Sequence, residues 1–290
     1  MGKLILATDS CCDLSGKAVK DMDIQIIPLS VELDGTSYHH YPDERELSAT
    51  KLYSLMREKK VATTSQVNPD EFIEFFEKFV KEDNQVLYIG FSSQLSGTFN
   101  SSRIAVEELK TKYPACDIVT IDSLCASSGQ GMLLWYAWKL KEEGKNIHEI
   151  AISIESMKLK ITHLFTVDDL GTLKRGGRLS ASKAWLGSLL GVKPILHVNE
   201  EGKLLALKKA RGRSASLSML VGLVEEKIEN PTGQTIFISH SDCLEDATFV
   251  GEKIKEKCKI KEIVYNQIGP IIGAHTGPGT IAIFFLGKER

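Results

Sequence analysis

The chain of 290 residues carries 36 Lys+Arg against 38 Asp+Glu, a formal net charge of -2, with 42% hydrophobic and 26% charged residues. Its length suits two domains that each bury a core, and its composition excludes long disorder or low complexity. Near-neutrality leaves no global field to gather nucleic acid or anionic membrane.

The opening MGKLILATDS meets Asp9 too early for a signal segment or a membrane span. Leu6 stands where myristoylation expects Ser or Thr, and no later stretch reaches spanning length, so no stable membrane insertion is expected. Cysteines 11, 12, 116, 125, 243 and 258 show neither CxxC nor zinc spacing. They read as reduced thiols of a cytoplasmic protein.

Residues 3–8 (KLILAT) form a short apolar run with a polar end, the pattern of a buried parallel strand that delivers its C-terminus to a site. Similar runs lie at 24–29, 86–91 and 118–121, and segments of helical spacing fall at 71–80, 99–112 and 131–143. Strands alternating with helices predict a parallel sheet covered on both faces, an α/β/α domain over residues 1–155.

Thr63-Thr64-Ser65-Gln66 precedes Asn68-Pro69, which suit the cap and first turn of a helix. Capping takes one or two groups, so at least one of Thr63, Thr64 and Ser65 is free to face something else. Residues 91–98 (FSSQLSGT) join a strand to a helix. Such a turn aims N–H groups and hydroxyls at one point and suits a carboxylate or phosphate, with Ser96 and Gly97 at closest approach. Plain capping explains one such cluster equally well; two of them favour an anion. Asp122 and Ser123 follow a third strand, to orient these loops or cap the next helix, and Asp9, Ser10 and Asp13 follow the first. Four polar strand ends along one sheet edge are where α/β proteins place ligands.

From about residue 157 the rhythm changes. A Gly- and Lys/Arg-containing loop at 174–178 precedes an apolar helix-like stretch at 182–190. Strands at 193–198 and 204–209 flank Asn199-Glu-Glu-Gly202, a hairpin turn that implies antiparallel pairing. Further strands at 235–239, 262–267 and 280–286 and a helix near 246–258 complete a C-terminal α/β domain with a mixed sheet, residues 156–290.

The basic segments 174–180 and 208–213 read as solvated loops or as clamps for a phosphate or an acidic partner. They lack the interleaved aromatics of nucleic-acid binders. Residues 273–280 place three glycines, a proline and His275 in a short loop, and glycine there allows close backbone approach to a ligand. The GxGxxA echo at Gly277 precedes a strand, which argues against dinucleotide binding. His275 is either a ligand contact or a hydrogen-bonded structural histidine. His39-His40 and His240-Ser-Asp242 lack further ligands at recognisable spacing, so no metal is expected. The chain has no GxSxG, which leaves Ser96 or Ser93 with His275 as the one nucleophilic arrangement to consider.

The segments ATDS at 7–10, IIPLSVELDG at 26–35, TTSQ at 63–66, FSSQLSGTFNS at 91–101, IDS at 121–123, DDLGTLKRGGRLS at 168–180, KP at 193–194 and GPIIGAHTGPG at 269–279 together resemble the DegV family, end to end and in order. The resemblance implies a bacterial, two-domain α/β protein that holds one long-chain fatty acid between its domains. In members called fatty-acid-binding protein B, the acid is presented to a separate fatty acid kinase that phosphorylates its carboxyl group for phospholipid synthesis. It further implies a carrier rather than an enzyme, with no cofactor besides the bound acid.

Carried over by motif, carboxylate binding falls on Thr64 and Ser96, with His275 near the carboxyl and Ser65, Ser93 and Gly97 as further contacts. Arg175, Arg178 and Arg211 are the expected kinase-docking residues. Val67 departs from the Pro that usually follows TSQ, which touches loop stiffness more than ligand chemistry. A carboxyl held by neutral hydroxyls keeps its oxygens reactive, so affinity must come from the tail. At about 0.8 kcal/mol per CH₂, roughly fifteen methylenes supply on the order of 12 kcal/mol before ordering costs. Apolar stretches 132–138, 184–190 and 281–286 are candidate tunnel walls, each also readable as plain core. The alternative is a hydrolase or transferase for an acyl or phosphorylated metabolite, acting through the Ser–His pair.

Overall fold

The computed structural model describes residues 2–179 and 191–290. The stretches 182–190 and 184–190 singled out above lie outside the described residues.

The first apolar run forms β1 (Leu4–Asp9), followed by α1 (Gly16–Asp21) and β2 (Ile24–Ile27). Next come β3 (Ser30–Leu33), β4 (Thr36–His39), α2 (Ala49–Arg57) and β5 (Ala62–Ser65). In α3 (Pro69–Val80), Asn68 and Glu71 form a reciprocal capping box and Pro69 opens the first turn. Phe72 and Phe76 on its inner face meet Tyr88 edge-on, at ring-centroid distances of 5.3 and 5.7 Å. Tyr88 belongs to β6 (Gln85–Gly90), which leads into α4 (Thr98–Lys112) and β7 (Ile118–Asp122).

These strands make a four-stranded parallel sheet in the order β2-β1-β6-β7, as the strand–helix alternation predicts. A second, antiparallel sheet in the order β4-β3-β5 was not foreseen. Its signal is Asp34-Gly35, with φ of 53° and 79°, a turn suited to a tight hairpin. A search for buried apolar runs passes over it because β4 lies largely in solvent. Its consequence is functional, since the hydroxyl cluster at 63–66 is mostly a strand, β5, rather than a turn.

After α5 (Ser128–Glu142) and α6 (Ile147–Met157), the chain forms β8 (Ile161–Thr166), α7 (Leu170–Arg175), β9 (Val192–Val198) and β10 (Leu204–Arg211). It ends with α8 (Arg213–Lys227), β11 (Thr235–His240), α9 (Leu244–Lys257), β12 (Glu262–Gln267), α10 (Pro270–Thr276) and β13 (Ile281–Leu286). The six-stranded sheet β10-β9-β8-β13-β11-β12 is mixed, parallel only between β11 and β12. The hairpin at 199–202 is confirmed.

One expectation needs correction. Residues 273–280 are not simply a loop: Pro270 starts a helix that carries His275 in its last turn, and Gly277, at φ 79°, ends it. Likewise Lys174 and Arg175 close α7, and only Gly176 and Gly177 form the turn.

The pleat of β8 and β13 sorts the core. Phe165, Ala282 and Phe284 face the first sheet within one continuous apolar cluster, whereas Leu164, Ile281, Ile283 and Phe285 pack under α8 and α9. Met132, Leu133, Leu134 and Ala137 of α5 are wholly buried in the shared cluster. Each of the Met and Leu side chains contributes about 1.5–3 kcal/mol of burial. Among the described residues, no helix is long and apolar enough to cross a membrane.

Candidate ligand site between the two sheets

A cavity of about 400 Å³ lies between the C-terminal edge of the parallel sheet and the inward face of the mixed sheet. One end is polar: Thr64, Ser65 and Gln66 from β5 and its exit, Ser96 and Gly97 ahead of α4, and His275 from α10. The body is apolar, with Leu29, Phe91, Leu95, Phe165, Ile271 and Phe284 among its walls.

Thr64 Oγ1 and His275 Nε2 are 2.8 Å apart and join β5 to α10. Burial lowers the His275 pKa to about 4, helped by the nearby charge of Arg178, so the imidazole is neutral at neutral pH; the Gly176 backbone pulls weakly the other way. Its Nδ1 is buried without a well-aligned partner. Ile271 and Ile272, four and three residues before His275, line the same cavity by helical spacing.

Ser96, one residue before the Gly97 N-cap of α4, faces the cavity. Its Oγ accepts from the Thr98 N–H at 3.2 Å and shares a hydrogen bond of 2.9 Å with Thr98 Oγ1. The start of α4 therefore points its partial positive charge at the polar end. A Cβ on Gly97 would come within 2.3 Å of Gln66 Oε1, so glycine there leaves room for Gln66 at the cavity edge.

The acidic strand ends act as buttresses rather than ligand contacts. Asp9 Oδ2 accepts from Tyr88 OH and from the Phe91 N–H, both at 2.8 Å. Asp122 Oδ1 accepts from the Ser93 and Leu124 N–H groups at 3.2 and 3.1 Å. Asp13 accepts from Ser127 Oγ at 2.5 Å and from the Gly269 N–H at 2.9 Å, tying the start of α10 to the parallel sheet. Burial raises its carboxyl to about 7 against the lowering effect of those two hydrogen bonds. Ser127, which lines the cavity, is held at φ 53°.

The structure thus brings together Thr64, Ser65, Ser96, Gly97 and His275 around one polar end. It does not bring Ser93 there: the Asp122 carboxylate holds its N–H, its hydroxyl meets Gln94, and it is not part of the cavity wall. Nor does it assemble a Ser–His pair, because His275 Nε2 meets Thr64 while Ser96 engages Thr98.

Of the three arginines, Arg178 touches the cavity and is fastened by backbone carbonyls, Nε to Leu95 at 3.3 Å and Nη1 to Gly176 at 2.6 Å. Arg175 Nη2 donates to Thr172 Oγ1 at 2.9 Å. With Lys60, Thr64 and His275, both border a smaller recess of about 140 Å³. Arg211 stands apart, exposed at the end of β10.

Sequence reasoning passed over Ile271, Ile272, His163 and Phe165 as wall residues. The first pair was legible from its spacing to His275, the second from alternation in ITHLFT. The candidate wall at 281–286 contributes Ala282 and Phe284, whereas 132–138 contributes none, its side chains being taken up by the core. All six thiols are free, with pKa values raised mainly by burial. No group of three or more His, Cys, Asp or Glu that could hold a metal ion occurs among the described residues.

Residues 3–288 match the model of the family described as "Uncharacterised protein, DegV family". A DegV domain-containing protein of Clostridium perfringens is 49% identical over 290 residues, covering 100% of this chain and 99% of that protein. Among solved structures, a DegV family protein from Thermus thermophilus, described for its fatty acid binding, superposes with TM-score 0.88 at 28% identity over 97% of this chain and 98% of that one. DegV from Bacillus subtilis, described as a fatty acid binding protein, gives TM-score 0.85 at 29% identity over 98% and 99%.

Proposed function

The chain belongs to the DegV family, and from that premise we propose that it binds one long-chain fatty acid between its two sheets and presents the carboxyl group to a separate fatty acid kinase. The observation that carries this reading is a cavity with largely apolar walls in which hydroxyls and a neutral imidazole gather where β5, the start of α4 and α10 meet. An alkyl tail gains by burial along the body. The carboxylate accepts from Thr64 and Ser96, and the α4 N-terminus favours its charge.

In this reading His275 donates from Nε2 to Thr64 Oγ1, which leaves the Thr64 hydrogen free to point at the ligand. The smaller recess shares Thr64, Arg178 and His275 with the main cavity and supplies the side from which a phosphoryl group reaches the carboxyl, with Arg175 and Arg178 beside it. Residues 1–155 and 156–290 form the two units that enclose the ligand. The protein acts as a cytoplasmic carrier and needs no cofactor, and catalysis resides in the partner.

Denaturing solvent extraction of the purified protein, with mass spectrometry of the released small molecules quantified against protein, tests this directly. A near-equimolar fatty acid supports the proposal. An empty extract together with failure to load added fatty acids rejects it.

A further inference from the structure

The far end of the cavity has a definite architecture. Thr280, Ala282 and Phe284 line the cavity from its polar end outward, at every second position of β13 and the residue before it, and Phe165 and His163 do so on β8. The register pairs Ala282 with Phe165 and Phe284 with His163. Thr280 is the polar-end member of this series, since its Oγ1 donates to the carbonyls of Thr276 and Gly277 at the close of the His275 helix.

The next pair on the same face, Leu286 and Ile161, does not line the cavity. Phe284 and His163 are therefore the last pair that a ligand meets along these two strands. Their rings stand edge to face, with centroids 5.2 Å apart and planes at 83°. His163 is locked in place: Nδ1 meets the Ile161 carbonyl at 2.9 Å, and Nε2 accepts from the Ala126 N–H at 3.2 Å. Continuing the register by one residue from the Leu164–His197 pair sets Val198 opposite His163, and Val198 pairs with Leu204. Both line the cavity. The hairpin between them is fastened to the parallel sheet, because Ser92 Oγ donates to the Gly202 carbonyl at 2.9 Å.

We propose that the Phe284–His163 pair is the end stop for the acyl tail and sets the longest chain this protein accepts. The inference rests on the fatty-acid reading above and adds to it the residues that select chain length. From Thr280 to Phe284 the strand advances about 14 Å, the extended length of roughly ten methylenes. The pair therefore meets the distal part of a long-chain acid, where a rigid ring costs most to displace.

The test is a binding series with straight-chain saturated acids from dodecanoic to docosanoic, measured on delipidated protein by titration calorimetry. In the wild type, affinity should rise up to roughly fourfold per added methylene, then fall about tenfold or more past a limiting length. Phe284→Ala should move that limit two to four carbons longer, whereas Ala282→Leu, nearer the polar end on the same face, should shorten it. Circular dichroism confirms that each variant is folded, and Phe284→Leu serves as a milder substitution if Phe284→Ala is not. An unchanged limit in folded variants, with the wild type still binding acids, overturns the end stop alone. Absence of binding by any acid to the wild type overturns the fatty-acid reading and the stop with it.

Discussion

Thr64 Oγ1 and His275 Nε2, 211 positions apart in the chain, meet at 2.8 Å where the antiparallel hairpin sheet touches the last helix. Each residue alone reads as a cap or a structural histidine. Together they make a neutral donor pair at the polar end of an apolar cavity. Thr64→Val and His275→Ala should each weaken fatty acid binding by roughly tenfold, near the 1.5 kcal/mol lower bound for hydrogen bonds to a charged group, and the double variant should lose less than the sum. Thr64→Ser should stay near wild type. Calorimetric titration of the four proteins measures the coupling; strictly additive losses would disprove joint action.

Gly176 supplies a more delicate test. A Cβ there would lie 2.7 Å from His275 Nδ1, and its backbone is helical at φ -61°, so alanine itself is unstrained. Gly176→Ala should push the imidazole off Thr64. We expect about a tenfold loss of acid affinity with a thermal midpoint within about two degrees of wild type. A large drop in midpoint instead would make Gly176 a folding position.

Asp13 predicts a pH-dependent stability. Its folded pKa is raised from 3.8 to about 7, so the folded state holds the proton more tightly than the unfolded one. Its favourable contribution is complete below about pH 3.8 and is lost as pH rises through about 7. Asp13→Asn removes that titration, so its stability relative to wild type should rise between about pH 4 and 7 and level off above that. Asp13→Ala leaves Ser127 and the Gly269 N–H without their acceptor and should lose about 1–3 kcal/mol at either pH. Urea midpoints across that range give the sign. His275 works in the opposite sense: with its pKa lowered to about 4, the stability it contributes is present above about 6.5 and is lost as pH falls toward 4.

The two arginines beside the smaller recess should separate. Arg175 is exposed and donates to Thr172, whereas Arg178 ties the Leu95 and Gly176 carbonyls together beside the cavity. Arg175→Glu should reduce kinase-dependent acyl phosphorylation about tenfold while acid affinity changes less than about twofold, as expected for a rim charge. Arg178→Glu should reduce both. A phosphorylation assay with added fatty acid kinase, run beside direct binding, distinguishes them, and equal loss of both activities in Arg175→Glu would assign that residue to the loop rather than to docking.

Much of this architecture follows from local pattern. The apolar runs with polar ends specify β1, β6 and β7, the capping box at Asn68 and Glu71 specifies the start of α3, and Asn199 to Gly202 specifies the β9–β10 hairpin. These are short-range signals in which neighbouring side chains decide the backbone. The hydroxyl cluster at Ser96 was legible in the same way, because a strand-to-helix turn advertises itself in composition, whereas the cluster at Thr64 showed in composition but not as the strand it forms. The partner of Thr64 was not legible: nothing local distinguishes pairing with His275 from pairing Ser96 or Ser93 with it. Ser93 lies outside the cavity wall with its N–H on Asp122, and residues 132–138 became core because α5 packs inside the shared apolar cluster. Those outcomes depend on which faces of two sheets meet, and register across β8 and β13 settles it. Burial depth, the lowered pKa of His275 and the length of the apolar cavity exist only once distant segments have closed upon each other.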